Sequence, residues 1–126
     1  MENLKIDKTE LTPEVLVDCN EGIIKINGIC VPENSVEFFD PIVKRIDCIS
    51  QSKTQIVFDI CLEYFNTGAS KSLLNLFLKV AEIEGVEIPT KVVWKIEEGD
   101  DELRESGEIL KEISKLNFEF VEIPRS

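Results

Sequence analysis

Residues 55–71 read QIVFDICLEYFNTGASK, and this stretch decides the fold. From Ile56 onward the residues alternate. Ile56, Phe58, Ile60, Leu62 and Tyr64 fall on one face, with Val57, Asp59, Cys61, Glu63 and Phe65 on the other. A period of two is the signature of a strand, predicted here over Gln55–Phe65. One face is wholly apolar and the other is mixed. Acids in the middle of a central strand predict a sheet covered by helices on one side only. Asn66, Thr67 and Gly68 then break the alternation, and a helical stripe of Leu73, Leu74, Phe77, Val80 and Ala81 predicts a helix over Ser70–Glu84. Gly85 stands where helices commonly stop.

Working outward, Lys91–Ile96 repeats the strand pattern, with Val92, Trp94 and Ile96 inward and Lys91, Val93 and Lys95 outward. Trp94 reads as core, since it shares a face with two aliphatic residues. Asp100–Lys115 reads as a helix with Leu103, Leu110, Ile113 and Leu116 on its apolar side. Phe118 and Phe120 alternate with Glu119 and Val121 in a last strand. The order strand-helix-strand-helix-strand favours parallel neighbours joined by right-handed crossovers.

Toward the amino terminus, short strands are predicted at Leu4–Ile6, Glu14–Asp18 and Ile23–Asn27, with Asn20-Glu21-Gly22 as the turn of an antiparallel hairpin or meander. Asn34 can cap a helix over Ser35–Ile49, with Glu37 three residues later. Val36, Phe39, Val43, Ile46 and Ile49 supply its stripe. Asp40-Pro41 interrupts it, as a kink or as a fresh cap. The prediction is one α/β (α+β) domain over residues 1–126: a mixed sheet, antiparallel first, with helices mainly on one face.

The chain carries 14 basic and 25 acidic residues, a net charge of −11. A field of that sign repels nucleic acid backbones and anionic membrane surfaces. Neither is expected as a partner. Cys19, Cys30, Cys48 and Cys61 are widely spaced and there is no histidine, so neither a zinc site nor any other metal site is expected. Cys48 and Cys61 sit in apolar patterns and read as small core residues. No segment resembles a signal peptide or spans a bilayer, which predicts a cytoplasmic protein. Lack of histidine removes the commonest general base, and with it the usual Ser-His and Cys-His arrangements. No catalytic residues and no cofactor are assigned.

The candidate site is the strand-to-helix junction Tyr64, Asn66, Thr67, Gly68, Ser70 and Lys71. Sites in open α/β sheets gather at the carboxyl ends of strands, beside helix amino termini whose N–H groups suit anions. Thr67 and Ser70 place hydroxyls there, Gly68 admits a close backbone approach, and Lys71 adds a cation. Ordinary capping accounts for the same residue types. The glycine-lysine pattern of a Walker loop is absent. A second candidate is the acidic run Glu97, Glu98, Asp100, Asp101 and Glu102, which serves either as helix-start chemistry or as a docking surface for a basic partner; a Mg²⁺ site there is the weakest reading, since sequence adjacency does not supply the converging carboxylates it needs. Carboxylate catalysis by Asp59, Glu63 or this run is a third, weaker option, lacking a paired nucleophile and base.

Three segments together resemble the SiaC family of bacterial regulatory phosphoproteins. They are Val31-Pro32-Glu33-Asn34 with Glu37-Phe38-Phe39 and Pro41; Tyr64-Phe65-Asn66-Thr67 with Ser70-Lys71; and Trp94 with Asp100-Asp101-Glu102 and Glu105-Ser106-Gly107-Glu108. The resemblance implies a STAS-like fold, similar to anti-sigma-factor antagonists, and a partner-switching role. A serine/threonine kinase with a histidine-kinase-like ATPase fold would phosphorylate Thr67, and a PP2C-type phosphatase would reverse it. The unphosphorylated form would bind and activate a target such as a diguanylate cyclase, in cyclic-di-GMP signalling and biofilm formation. It implies partner binding by Pro32, Glu33 and Asn34 and by Asp100, Asp101 and Glu102. Gly68 and Ala69 stand where the family usually has serines, and Ile29–Val31 replaces a usual Ser-Tyr pair. An alternative is a sensor or carrier of an anionic small molecule using the helix start at Thr67–Lys71.

Overall fold

A computed structural model of the chain describes residues 2–52, 54–84 and 88–125. Six strands and three helices follow one another as β1 (Leu4–Ile6), β2 (Glu14–Asp18), β3 (Ile23–Cys30), α1 (Ser35–Ser52), β4 (Ile56–Phe65), α2 (Thr67–Glu84), β5 (Thr90–Glu97), α3 (Asp101–Ser114) and β6 (Phe118–Ile123). The strands form one sheet in chain order. β1, β2 and β3 pair antiparallel, and β3 through β6 pair parallel. The parallel block therefore begins one strand earlier than the predicted β-α-β-α-β unit, because α1 is itself a crossover helix.

Progress in a single direction through right-handed crossovers puts every helix on the same face. α1 packs on α2, and α2 on α3. The predicted one-sided cover is observed. On the open face Lys95 reaches the Asp59 carboxylate at 3.0 Å and Lys91 pairs with Glu119 at 2.5 Å. Asp59 and Glu119 are thus neutralised by lysines on a neighbouring strand, a cross-strand pairing that a half-solvated face permits.

Between the layers lies an aliphatic core with an aromatic seam. Phe58 meets Phe77 edge-on at 5.1 Å, Phe77 meets Phe118 at 5.6 Å, and Phe65 meets Trp94 at 6.1 Å. Trp94 is 1% exposed, and its Nε1–H donates to the Leu103 carbonyl at 3.0 Å. Its predicted core role holds, with its polar edge satisfied as burial demands.

Several local expectations are corrected. Tyr64 does not share the buried face of β4: it is 62% exposed, while Phe65 turns inward onto Trp94. Gly28 pairs with Leu62 but Ile29 pairs with Tyr64, so an extra residue bulges β4 and inverts the alternation beyond it. In α1, Ile42 is buried where Val36 was expected, and Val36 is 74% exposed. The helix runs unbroken through Pro41, which rules out a fresh cap there. In α3 the buried stripe is Leu103, Gly107, Leu110 and Ser114, leaving Ile113 48% exposed. Cys48 and Cys61 are only half-buried; the buried thiols are Cys19 and Cys30. The predicted stop at Gly85 lies outside the described residues.

Candidate switch site at the carboxyl edge of the sheet

Because β3, β4 and β5 run parallel, their carboxyl ends share one edge, and α1, α2 and α3 each begin beyond it. All three segments that carry the sequence signature are at this edge. Asn66 forms its centre. Its N–H donates to the Cys30 carbonyl at 3.2 Å, tying the end of β4 to the end of β3. Its Oδ1 accepts from the Ala69 N–H at 2.9 Å, and its carbonyl accepts from the Ser70 N–H at 3.0 Å. Asn66 is therefore the amino-terminal cap, and α2 starts at Thr67 rather than at Ser70 as predicted. Cys30, directly under this knot, has its thiol pushed up to about 12 by burial.

Thr67 is exposed as the first helical residue, beside N–H groups that the helix leaves without an internal partner. Gly68 is half-buried, Ala69 is buried, Ser70 is half-buried and Lys71 is exposed. The start of α1 lies against this turn. Ser72 Oγ donates to Ser35 Oγ at 3.1 Å, and a Cβ added at Gly68 would stand 3.1 Å from the same Ser35 oxygen. Asn34 caps α1 as predicted, its Oδ1 accepting from the Glu37 N–H at 3.1 Å. Glu33 and Asn34 are exposed, whereas Pro32 is buried.

In the third segment Asp100 caps α3, its side chain accepting from the Leu103 N–H at 3.0 Å. Asp101 and Glu102 are exposed in the first turn, where carboxylates are favoured by the helix dipole. They line an open concavity with Glu97, Glu98, Gly99, Asp100 and Arg125, whose guanidinium lies 3.7 Å from Glu97. A hollow of that charge does not suit an anionic small molecule. Among the described residues no group of three potential metal ligands converges. Asp59, one of the candidate catalytic carboxylates, is engaged by Lys95 on the open face.

Two features of the edge escape the sequence pattern. A groove of about 110 Å³ joins the end of β4 to the start of α3, lined by Glu63, Tyr64, Phe65, Glu102, Leu103 and Ser106. The exposed apolar residues Val36 and Leu11 also belong to this end: Val36 is in the first turn of α1, and the Leu11 carbonyl accepts from the Val31 N–H at 2.7 Å. A contact through the backbone of a loop leaves no trace in hydrophobic periodicity.

The chain is 24% identical over 119 residues to an uncharacterized protein of Pseudomonas aeruginosa (strain UCBPP-PA14), covering 94% of each. Its fold matches the crystal structure of apo-SiaC from Pseudomonas aeruginosa with a TM-score of 0.87 at 23% identity, over 96% of this chain and 99% of that one. It also matches the crystal structure of diguanylate cyclase SiaD in complex with its activator SiaC from the same organism, with a TM-score of 0.89 at 22% identity, over 95% and 99%. The sequence profile of the SiaC family regulatory phosphoproteins matches residues 6–123, and the chain belongs to that family.

Proposed function

We propose that this protein is a cytoplasmic partner-switching regulator, not an enzyme, whose unphosphorylated form binds and activates a diguanylate cyclase. A serine/threonine kinase with a histidine-kinase-like ATPase fold phosphorylates Thr67, and a PP2C-type phosphatase restores the free hydroxyl. The observation that carries the reading is the position of Thr67 in a member of this family. It is the exposed first residue of α2, between the capped starts of α1 and α3. SiaC of Pseudomonas aeruginosa, which shares the fold, is the activator of the diguanylate cyclase SiaD. No described helix is long and apolar enough to cross a membrane.

The energetic logic is electrostatic. A phosphate adds nearly two negative charges to an edge that already carries Glu33, Glu63, Asp101 and Glu102. Burying that dianion against a partner surface requires desolvating it, so affinity collapses.

The test is to incubate the protein with a candidate kinase from the same genome and ATP, then locate the added phosphoryl mass by peptide mass spectrometry. Modification is expected on the peptide containing Thr67. Cyclase activity should rise with the wild-type protein and not with Thr67→Asp. Phosphate found only at other residues would overturn the assignment.

A further inference from the structure

We infer that the groove between the end of β4 and the start of α3 is the seat for an arginine side chain of the target protein, with Tyr64 as its platform. The inference rests on the partner-switching reading above and adds the chemistry of the contact. The first support is the bulge in β4. Regular alternation would bury Tyr64, yet the register shift opposite Gly28/Ile29 turns it out, to 62% exposure. Bulges commonly re-aim a side chain beside a functional site. A ring displayed this way is costly to hydrate and well suited to anchor an interface.

The second support is the shape and charge of the groove. It is lined by Tyr64, half-buried Phe65, buried Leu103 and half-buried Ser106, together with the exposed acids Glu63 and Glu102. No described cation pairs with either acid. The cations nearest to Glu102 in sequence are engaged elsewhere: Lys95 with Asp59, and Arg104 over the Phe120 ring at 5.9 Å. At about 110 Å³ the space is well below the roughly 300–1,000 Å³ of small-molecule sites, and matches a single side chain. Two carboxylates and two aromatic rings lining one groove fit a guanidinium, which stacks on a ring face while its fork of N–H donors meets carboxylate oxygens.

The experiment is calorimetric titration of the diguanylate cyclase encoded in the same genome into this protein, at low and at physiological salt. The variants are Tyr64→Ala, Glu63→Gln with Glu102→Gln, and Glu112→Gln as an exposed acid on α3 outside the groove. All four side chains are exposed, so the variants are expected to keep the wild-type circular dichroism. Tyr64→Ala should weaken binding by about tenfold or more, as an interface anchor does. The double glutamine variant should weaken it by about tenfold and flatten its salt dependence, whereas Glu112→Gln should stay within about twofold. Groove variants that bind as tightly as Glu112→Gln would overturn the inference while leaving the switch reading standing. A wild-type protein that binds no cyclase would overturn that reading, and the inference with it.

Discussion

Ser72 Oγ donates a hydrogen bond to Ser35 Oγ at 3.1 Å, joining the second turn of α2 to the first residue of α1. The two residues are 37 positions apart, and Ser72 is 8% exposed. The contact makes the starts of the two helices one structural unit. Whatever moves Thr67 and Gly68 is thereby felt at Asn34 and Ser35.

That unit explains why glycine occupies position 68. An alanine there would improve helix propensity by up to about 1 kcal/mol. Its Cβ would also stand 3.1 Å from Ser35 Oγ, forcing the hydroxyl to turn and putting the bond to Ser72 at risk. Such a bond contributes about 1 kcal/mol net. Gly68→Ala is therefore expected to change stability by less than about 0.5 kcal/mol in the wild-type background. In a Ser35→Ala background, where the nearest remaining Ser35 atom is 3.7 Å away, it should be stabilising. A double-mutant cycle from urea midpoints measures the difference, and equal effects in both backgrounds would refute the coupling.

Gly107 answers to a harsher constraint. A Cβ there would meet Trp94 Nε1 at 2.5 Å, Trp94 Cδ1 at 2.6 Å and Phe120 Cε1 at 2.9 Å. Neither ring can yield without disturbing the aromatic seam or the Trp94 bond to the Leu103 carbonyl. Overpacking of this kind costs about 1–3 kcal/mol. Gly107→Ala is expected to fall in that range, with a lowered urea midpoint and an altered near-ultraviolet spectrum of Trp94.

Tyr64 and Asn66 show where sequence reading succeeds and where it stops. The strand, the junction and the cap residue types around them follow from period and local chemistry, as does the cap at Asn34, whereas the sequence leaves the cap of α3 open between Asp100 and Asp101 until the Leu103 N–H bond selects Asp100. The inversion at Tyr64 and Phe65 does not, because it depends on how β4 registers against β3. Two cap-type residues in succession, Asn66 and Thr67, leave the helix start ambiguous, and the bond from the Ala69 N–H to Asn66 resolves it. Val36 and Ile113 fit a helical stripe by type, but only packing against the neighbouring helix and sheet selects the stripe's phase. Contacts such as Ser35 with Ser72 are non-local and have no local signal at all.

Cys30 gives the structure a pH dependence on the alkaline side. Burial raises its thiol from the ordinary 9.0 to about 12. Below pH 9 the thiol is protonated in both folded and unfolded chains and makes no difference. Above it the unfolded chain loses the proton first, so the folded state binds more protons and stability falls as pH rises toward 12. The slope from one such group approaches about 1.4 kcal/mol per pH unit. Urea midpoints of the wild-type protein should therefore fall more steeply between pH 9 and 11 than those of Cys30→Ala. Parallel slopes would show that the thiol ionises freely in the fold.

Phosphate on Thr67 is expected to abolish partner binding without loosening the fold. Thr67 is exposed, so the added group meets no packed neighbour. It stands at the amino terminus of α2, whose first N–H groups and dipole favour an anion by about 0.3–1 kcal/mol. Lys71, one turn on, adds a cation on the same side of the helix. Against this, the exposed acids of the same edge repel a second negative charge, though at greater distance and through screening water. The two effects leave a net change within about 1 kcal/mol of zero. Thermal unfolding of the Thr67-phosphorylated protein, made by enzymatic phosphorylation and compared at equal concentration, should match the unmodified protein to within a few degrees. If phosphorylation instead lowers the melting temperature steeply, loss of binding would be a consequence of unfolding, and the charge placed at the interface would not be the switch.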